Sequence, residues 1–360
     1  MNEQHKQSGG LLLISAAILV LVIGFAALAL DIGKLYLVRG ELQNAADAAA
    51  MAGVPCLYRR TECANLSASV PDWSTSSTRA SNFVSNNKVQ GQALSQATVN
   101  TGYWNMMGSP AGLQSSSITP GAYDYPAVQV TVRQAPGING GPVLLSLASV
   151  LGITQGNVSA TATAVISHPS MLNPFPLVLG KCLYDTYWDY TTSSPKLATQ
   201  TNPPGFDLPQ IIGQPYFFKA TSSYKVGACE AGQWTSLLAD SNSSSFISNL
   251  INSGSPQSVA IGDLIWIQPG SQTSIYTDIH NCSAAGNKLC EYVMVPVVEF
   301  IGTHSHQPVY AFACMHVLDG VGGSSKYVLF QMSADPVKCI SNGSGVGPDY
   351  GVNTPPRLVQ

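Results

Sequence analysis

The sequence predicts an α+β protein with three parts. They are a single N-terminal transmembrane helix that continues beyond the membrane, an antiparallel sheet with a packed helix, and a β-rich C-terminal domain with disulfides. Three observations support this prediction. Leu11–Leu30 is an apolar run without a charged residue, and all eight cysteines follow it. Between Cys63 and Cys182, residues 127–133 and 158–166 alternate apolar and polar side chains, which is the pattern of half-buried strands.

Composition limits the classes of function. Charged residues make up 10% of the chain, and the formal net charge is −3. Nucleic-acid binding that depends on neutralising phosphates needs a broad basic surface, so this class is disfavoured. The chain has 360 residues, which is enough for two or three domains with their own cores.

The apolar run Leu11–Leu30 has the length of a membrane span. At 1.5 Å per residue it covers about 30 Å, the hydrocarbon thickness of a bilayer. A cleavable signal peptide is the alternative, with Lys6 before the run and Ala27-Leu28-Ala29 as the cleavage pattern. The run exceeds the usual signal length, and helical signals continue through that site. We therefore predict an uncleaved anchor, with the cysteine-bearing C-terminal part outside the cytoplasm.

The helix is predicted to continue to about Ala52 and to end at Gly53, because Pro55 cannot extend it. Spacings of three and four residues mark an apolar packing seam, and Arg39, Gln43 and Asp47 lie off it. Two interpretations stay open: the seam covers the protein's own sheet, or it packs beside partner helices. The residues of the seam are Leu35, Val38, Leu42, Ala45, Ala49 and Ala52.

The cysteines predict disulfides in an oxidising compartment, because they form an even set confined to one side of the span. Zinc is the competing interpretation, but the sequence has no Cys-x-x-Cys. Of the possible pairings, we predict those between sequence neighbours, Cys56–Cys63 and Cys282–Cys290. The full set of disulfide candidates is Cys56, Cys63, Cys182, Cys229, Cys282, Cys290, Cys314 and Cys339.

The segment ALALDIGKLYLVRGELQNAADAAAMAG (residues 27–53) resembles the N-terminal module of TadG-like proteins of the Tad (Flp pilus, tight-adherence) machinery. In that family an apolar span continues into Asp-x-Gly-x-Leu-Tyr. A stretch with an Arg, a Leu-Gln pair and several alanines follows. The matching positions here are Asp31, Gly33, Leu35, Tyr36, Arg39, Leu42, Gln43, Ala45, Ala46, Asp47 and Ala48–Ala50. Residues 127–166 resemble the strand–helix–strand ending of TadE/TadG-like periplasmic modules.

The resemblance implies a single-pass protein of the bacterial inner membrane, with the bulk of the chain periplasmic or on the cell surface. The implied partners are the membrane and other pilus-assembly or pseudopilin-like proteins, contacted through the N-terminal helix. Processing as a pilin is disfavoured because Ser15 stands where a prepilin peptidase substrate carries Glu. A von Willebrand A domain is disfavoured because Asn242 replaces a required Ser in residues 240–244.

These patterns predict five regions. Residues 1–10 form a cytoplasmic stub, 11–30 the transmembrane helix and 31–53 its periplasmic extension. Residues 54–167 form an α+β TadE/G-like module, and 168–360 form the β-rich C-terminal domain.

Smaller elements are predicted within these regions. The apolar spacing in Pro142–Ile153 predicts the helix that packs on the sheet, and a short helix is predicted at Ser81–Asn87. A further helix is predicted within Gln233–Ile251, and the tail Gly345–Gln360 is predicted to be an irregular arm. Strands are predicted at Ala260–Ile267, Tyr292–Phe300, Val309–Cys314 and Tyr327–Met332.

No residue pattern points to catalysis, a cofactor or a small-molecule substrate. His304-Ser305-His306 with His316 is the best metal candidate, but a loop context and no organised carboxylate favour surface residues. Asp185 and Asp189 lack the arrangement of a paired general acid and base. We predict a non-enzymatic component of Tad/Flp pilus biogenesis or surface attachment that makes protein–protein contacts. The alternative is a surface or periplasmic adhesin or binding module that acts through the C-terminal β-rich domain.

Overall fold

The computed structural model describes residues 8–58, 60–65, 70–121, 123–220, 225–269 and 273–360. Most of the predicted stub at residues 1–10 lies outside this part. The helices in the described part are α1 (Ser8–Gly53), α2 (Trp73–Val84), α3 (Lys181–Tyr187), α4 (Ser244–Ser253) and α5 (Thr273–Cys282). Short 3-10 helices lie at Val54–Leu57, Thr61–Cys63 and Ala148–Leu151.

The strands of the first half are β1 (Lys88–Val89), β2 (Gln92–Ala93), β3 (Thr98–Asn105), β4 (Leu113–Ser115), β5 (Asp124–Gln134), β6 (Val143–Leu144), β7 (Gln155–Gly156) and β8 (Val158–Val165). Those of the second half are β9 (Met171–Leu172), β10 (Leu177–Gly180), β11 (Trp188–Asp189), β12 (Ser194–Pro195), β13 (Phe217–Ala220), β14 (Lys225–Val226), β15 (Cys229–Glu230), β16 (Gly232–Leu237), β17 (Val259–Ala260), β18 (Leu264–Ile267), β19 (Tyr292–Val298), β20 (Ser305–Val321), β21 (Tyr327–Met332) and β22 (Arg357–Leu358).

The first half is built on an antiparallel sheet with the strand order β22-β8-β5-β3-β4. The predicted alternation is confirmed, because Val128 pairs with Ala164, Val130 with Ala162 and Val132 with Ala160. These side chains are buried in one core together with the second half of α1 and with α2. The sheet and the two helices therefore form the predicted α+β arrangement.

The helix predicted at Pro142–Ile153 is wrong. The segment forms the β6–β7 hairpin, whose connection contains the 3-10 helix Ala148–Leu151. The sheet face that such a helix would cover is already occupied by α1 and α2. Apolar spacing shows that a segment has an apolar side, but it does not show which surface that side meets.

Helix α2 begins where its cap can form, at Asp72. The Asp72 carboxylate accepts a hydrogen bond from the backbone N–H of Thr75 at 3.1 Å, which satisfies a free amide of the first turn. The helix therefore starts earlier than the predicted Ser81–Asn87. It crosses α1 closely at Gly53, where an added Cβ would lie 2.7 Å from the Cβ of Ala80.

The second half contains a closed ring of hydrogen-bonded strands, β20-β18-β16-β10-β19, with β19 pairing back onto β20. The long strand β20 closes the ring by pairing with β18 at its start and with β19 along its middle. Its end pairs with β21, which continues to β13. The predicted strand at Tyr327–Met332 is confirmed as β21. The helix predicted within Gln233–Ile251 is present as α4, but it is shorter than that range because Gly232–Leu237 forms strand β16.

The tail Gly345–Gln360 has little regular secondary structure, as predicted, but it ends in the short strand β22 and is packed against the protein rather than extending as an arm. The tail returns across both halves of the molecule and adds β22 to the edge of the first sheet, where Arg357 pairs with Val165 and Leu358 with Ala164. The backbone N–H of Thr163 also donates to the carbonyl of Gln360 at 3.0 Å. A strand edge recruits backbone groups of nearly any sequence, so periodicity could not reveal this pairing.

Four disulfides join the eight cysteines. Cys56–Cys63 lies beside the end of α1, and Cys282–Cys290 joins the end of α5 to the start of β19. The other two bonds are Cys182–Cys229 and Cys314–Cys339, with sequence separations of 47 and 25 residues. Three of the four disulfides therefore cross-link the second half, which contains the closed ring of strands.

Candidate functional site: the apolar helix and its junction with the folded part

Helix α1 changes its surroundings along its length. From Leu12 to Leu30 it is apolar and almost entirely exposed, and it is long and apolar enough to cross a membrane. From Asp31 onward the same helix enters the folded part of the protein and ends at Gly53. The junction between the two segments is therefore a single continuous helix rather than a linker.

The second segment of α1 packs on the protein's own sheet. Val38, Leu42, Ala45 and Ala49 are buried in the first core, and Leu35 is partly buried against it. Ala46 and Ala50 are buried as well, so the contact is wider than a strict seam. Alanine at these positions lets the helix approach strands β5 and β8 closely. The structure thus agrees with the interpretation that the seam covers the protein's own sheet.

Asp31 lies at the point where the apolar segment ends, and it anchors the β6–β7 hairpin. Its carboxylate accepts hydrogen bonds from the backbone N–H groups of Ser146, Leu147 and Ala148 at 3.0, 2.8 and 2.6 Å. Lys34, one turn further along α1, donates from Nζ to the carbonyl of Leu144 at 2.8 Å. The two charged side chains therefore bind the backbone of one hairpin, and we call this contact the clasp.

The clasp lowers the pKa of Asp31. The main cause is the hydrogen bond from Ala148, with further contributions from the backbone groups of Ser146 and Leu147 and from the charge of Lys34. A carboxyl with a lowered folded-state pKa contributes stability above its ordinary value of 3.8, and loses it as the pH falls through the lower folded value. The clasp is therefore complete at neutral pH and opens only in strong acid.

We expect Asp31→Asn to raise the hydrogen-exchange rates of the amides of Ser146, Leu147 and Ala148 by about tenfold or more at pH 7, because a neutral amide is a weaker acceptor. Mass spectrometry of peptides that cover the hairpin measures this change. The difference from the parent chain should shrink as the pH falls from 3.8 through the lowered folded-state pKa, below which Asp31 itself is protonated. Asp47→Asn is the matched control, because Asp47 lies on the same helix and accepts from the side chain of Gln43. Equal exchange in both variants would contradict the clasp.

Sequence reasoning did not identify Asp31 and Lys34 as contact residues. The available signal was a carboxylate placed directly after an apolar span, where an unpaired charge is costly. The partners of Asp31 could not be predicted, because they are backbone groups more than 100 residues away. Every residue carries such groups, so no sequence pattern marks them.

Two of the three histidines considered as metal ligands pair with different carboxylates. His306 Nε2 lies 2.7 Å from Asp240 Oδ1, and His316 Nε2 lies 3.3 Å from Glu291 Oε1. His304 has a left-handed backbone conformation just before β20 begins. Across the described ranges, no group of three or more His, Cys, Asp or Glu side chains could hold a metal ion.

Asp185 and Asp189 do not share one helix face. Asp185 lies in α3 and accepts from Lys181 Nζ and from Tyr190 Oη, both at 2.6 Å. Asp189 lies in β11, where its carboxylate accepts the backbone N–H of Thr191 at 2.9 Å. Both carboxylates therefore have structural partners.

A cleft of about 680 Å³ lies between the two halves and is rich in tyrosine. The tail forms part of its wall, and Tyr125 Oη donates to the carbonyl of Gly347 at 2.7 Å. Burial raises the pKa of Tyr125, so this hydroxyl remains a neutral donor. The tyrosines that line the cleft are Tyr58, Tyr103, Tyr123, Tyr125, Tyr190, Tyr310 and Tyr350.

Comparison with known families matches two adjoining regions of the chain. Residues 9–55 match a Flp pilus-assembly family described as TadE/G-like, and residues 60–164 match a Tad-like Flp pilus-assembly family. Comparison of the chain with curated proteins and with solved structures found no match. The first matched region covers the apolar helix with its buried extension, and the second contains α2, the sheet strands β3, β4 and β5, and nearly all of β8. The chain therefore carries a TadE/G-like and a Tad-like Flp pilus-assembly region, at residues 9–55 and 60–164.

Proposed function

We propose that this chain is a membrane-anchored, non-enzymatic component of Tad/Flp pilus biogenesis or surface attachment, and that its folded part makes protein–protein contacts. The continuity of α1 carries the proposal. The helix has an exposed apolar segment of membrane-spanning length and a second segment buried in the first core. A force or displacement on the folded part is therefore transmitted directly to the membrane segment.

The proposed topology has residues 1–10 in the cytoplasm, residues 11–30 in the inner membrane, and the rest of the chain in the periplasm or at the cell surface. Four disulfides support this side for the folded part, because such bonds persist in oxidising compartments. We propose residues 54–167 and 168–360 as two domains. Residues 168–360 contain one hydrophobic core, and residues 54–167 form the other together with the buried segment of α1.

Partner contacts through α1 must use its uncovered side, since the seam is buried. Just beyond the apolar segment, Ile32, Tyr36 and Leu37 are exposed on the helix surface. We propose this side, together with the membrane segment, as the surface for other pilus-assembly or pseudopilin-like proteins. Exposed aromatic and aliphatic side chains are typical of the centre of such contacts.

A clean deletion of the gene should abolish or strongly reduce surface pili, and the full chain supplied in trans should restore them. Electron microscopy and immunoblotting of sheared pili measure the result. A chain in which residues 1–30 are replaced by a cleavable signal peptide should reach the periplasm but fail to restore pili, because it lacks the anchor. Normal piliation in the deletion strain would refute the proposed role.

Two further complementing chains make this experiment specific. Leu37→Ala alters the uncovered side of α1 without touching the core, so loss of pili at normal membrane levels would support a partner contact there. If the chain with the signal peptide restored pili fully, the anchor would be dispensable. This result would contradict the proposed mechanism but not a role in pilus biogenesis.

The tyrosine-rich cleft supports a second candidate function, a surface or periplasmic binding module. Aromatic side chains with polar tips are suited to binding at a half-exposed surface. This candidate predicts that a deletion strain complemented with a chain altered in the cleft makes pili but attaches poorly. Tyr123 is half-exposed at the cleft and is a suitable position. Removal of residues 168–360 is a poor test, because it also strips β22 from the first sheet.

A further inference from the structure

The β6–β7 hairpin, residues 142–156, has an unusual surface for a loop outside a core. It contains no charged residue, and neither does any position from Gln134 to Gly180. Three of its apolar side chains are open to the surroundings, with exposed fractions of 67% for Leu144, 38% for Leu147 and 55% for Ile153. An uncharged turn with exposed leucine and isoleucine is unfavourable in water and requires a covering surface.

The position of the hairpin indicates what covers it. Leu147 and Ala148 line an apolar groove of about 430 Å³ together with residues of α1 between Val20 and Leu28. These residues belong to the exposed segment of membrane-spanning length. The tip of the hairpin therefore lies beside the last turns of that segment, before Asp31 in the direction of the membrane.

The hydrogen bonds of the hairpin remove the usual obstacle to burying a loop in lipid, which is the cost of unsatisfied backbone groups. The N–H groups of Ser146, Leu147 and Ala148 donate to Asp31, and the carbonyl of Leu144 accepts from Lys34. Across the hairpin, the N–H of Leu145 donates to the carbonyl of Thr154 at 2.9 Å, and that of Ile153 to Ala148 at 3.1 Å. The clasp thus supplies partners that water would otherwise supply.

We propose that the hairpin is inserted into the lipid leaflet on the side of the folded part, with acyl chains around Leu144, Leu147 and Ile153. The inference rests on the proposed membrane insertion of Leu11–Leu30, since the hairpin is held against that helix. A second insertion point beside α1 fixes the depth of the anchor and limits the tilt of the whole protein relative to the membrane. The clasp is the device that holds the two insertion points together.

The proposal is tested with the full chain reconstituted in phosphatidylcholine vesicles, with or without bromine atoms on the acyl chains. Leu144→Trp adds an emitter at the exposed edge of the hairpin, and the emission of the five native tryptophans is subtracted with the parent chain. We expect the added emission to be lost in the brominated vesicles. Ile153→Trp provides a second probe on the opposite side of the turn, in case the first substitution disturbs folding.

Leu264→Trp is the matched control, because Leu264 is a similarly exposed leucine (57%) in strand β18 of the second half. Its added emission should be equal in both kinds of vesicle. Adding Asp31→Asn to Leu144→Trp should weaken the quenching while the chain remains in the vesicles, because the hairpin is released from the helix.

Three results would overturn the inserted hairpin. The first is unquenched, red-shifted emission from both hairpin probes, which would place the hairpin in water. The second is unquenched, blue-shifted emission, which would show that another protein surface covers it. The third is a chain that does not float with the vesicles at alkaline pH. Such a chain lacks an inserted α1, so the proposed anchor would fail together with the inserted hairpin.

Discussion

Leu42→Ala is expected to lower the free energy of unfolding of the first core by about 2–5 kcal/mol, because the leucine is fully buried and its neighbours are held by a sheet. Leu42 belongs to α1 and is buried in the same core as Val128 and Val130 of strand β5. The buried positions that follow Leu42 on this helix face are alanines, which are too small to fill the space. Native-state hydrogen exchange of the amides in β5 and β8 measures the local free energy.

Leu37→Ala is the control for this prediction. Leu37 has the same side chain in the same helix, five positions earlier, but 65% of its surface is exposed. Its replacement should change the free energy by no more than about 0.5 kcal/mol in detergent, where the exposed side meets no core. Similar losses for both leucines would mean that the burial of the seam does not stabilise the fold.

Removal of the Cys182–Cys229 disulfide is expected to destabilise the second core by about 4 kcal/mol, because the bond closes a loop with a sequence separation of 47 residues and so restricts the unfolded chain. The double variant Cys182→Ser, Cys229→Ser tests this. The serine at 229 would lie near the hydroxyl of Thr186, which is 3.7 Å from the Cys229 sulfur, so the folded state tolerates the change. The emission of buried Trp188 and Trp234 during denaturant unfolding reports on this core.

The pair Cys56→Ser, Cys63→Ser provides the comparison. Its bond spans only 7 residues, so the same chain-entropy argument gives about 2 kcal/mol. This loss should appear in the first core and leave the unfolding of the second core unchanged. A larger effect from the short loop would show that strain or unfolded-state structure, rather than loop closure, governs these bonds.

The helix and several strands were predictable because their signals are local. The apolar run, the seam spacing and Gly53 before Pro55 define α1 from Ser8 to Gly53 within a few residues. Period-two alternation identified β5 and β8, and a short apolar run identified β21. In each case the side chains that create the pattern lie within one element, so the sequence carries the information directly.

The role of Pro142–Ile153 was missed for a different reason. Its apolar spacing predicts a helix on the sheet, but α1 and α2 occupy that face. The segment instead turns Leu144 and Leu147 outward and is held beside the apolar helix by Asp31. Periodicity reports that residues are apolar, whereas the surface they meet depends on which elements have already covered the sheet.

The apolar segment Leu11–Leu30 and the helix that continues from it show which features the sequence determines and which only the tertiary structure decides. Length and absent charge alone determine that Leu11–Leu30 can span a membrane, and this segment with the motif that follows it matches the TadE/G-like family over residues 9–55. Three contacts are decided only by the tertiary structure. The seam of α1 packs on the protein's own sheet, and Asp31 binds backbone groups of residues 146–148. The C-terminal tail pairs with the first sheet as β22. The physical reason is that these contacts join distant segments through backbone groups and shared surfaces, which every residue offers and no local pattern encodes.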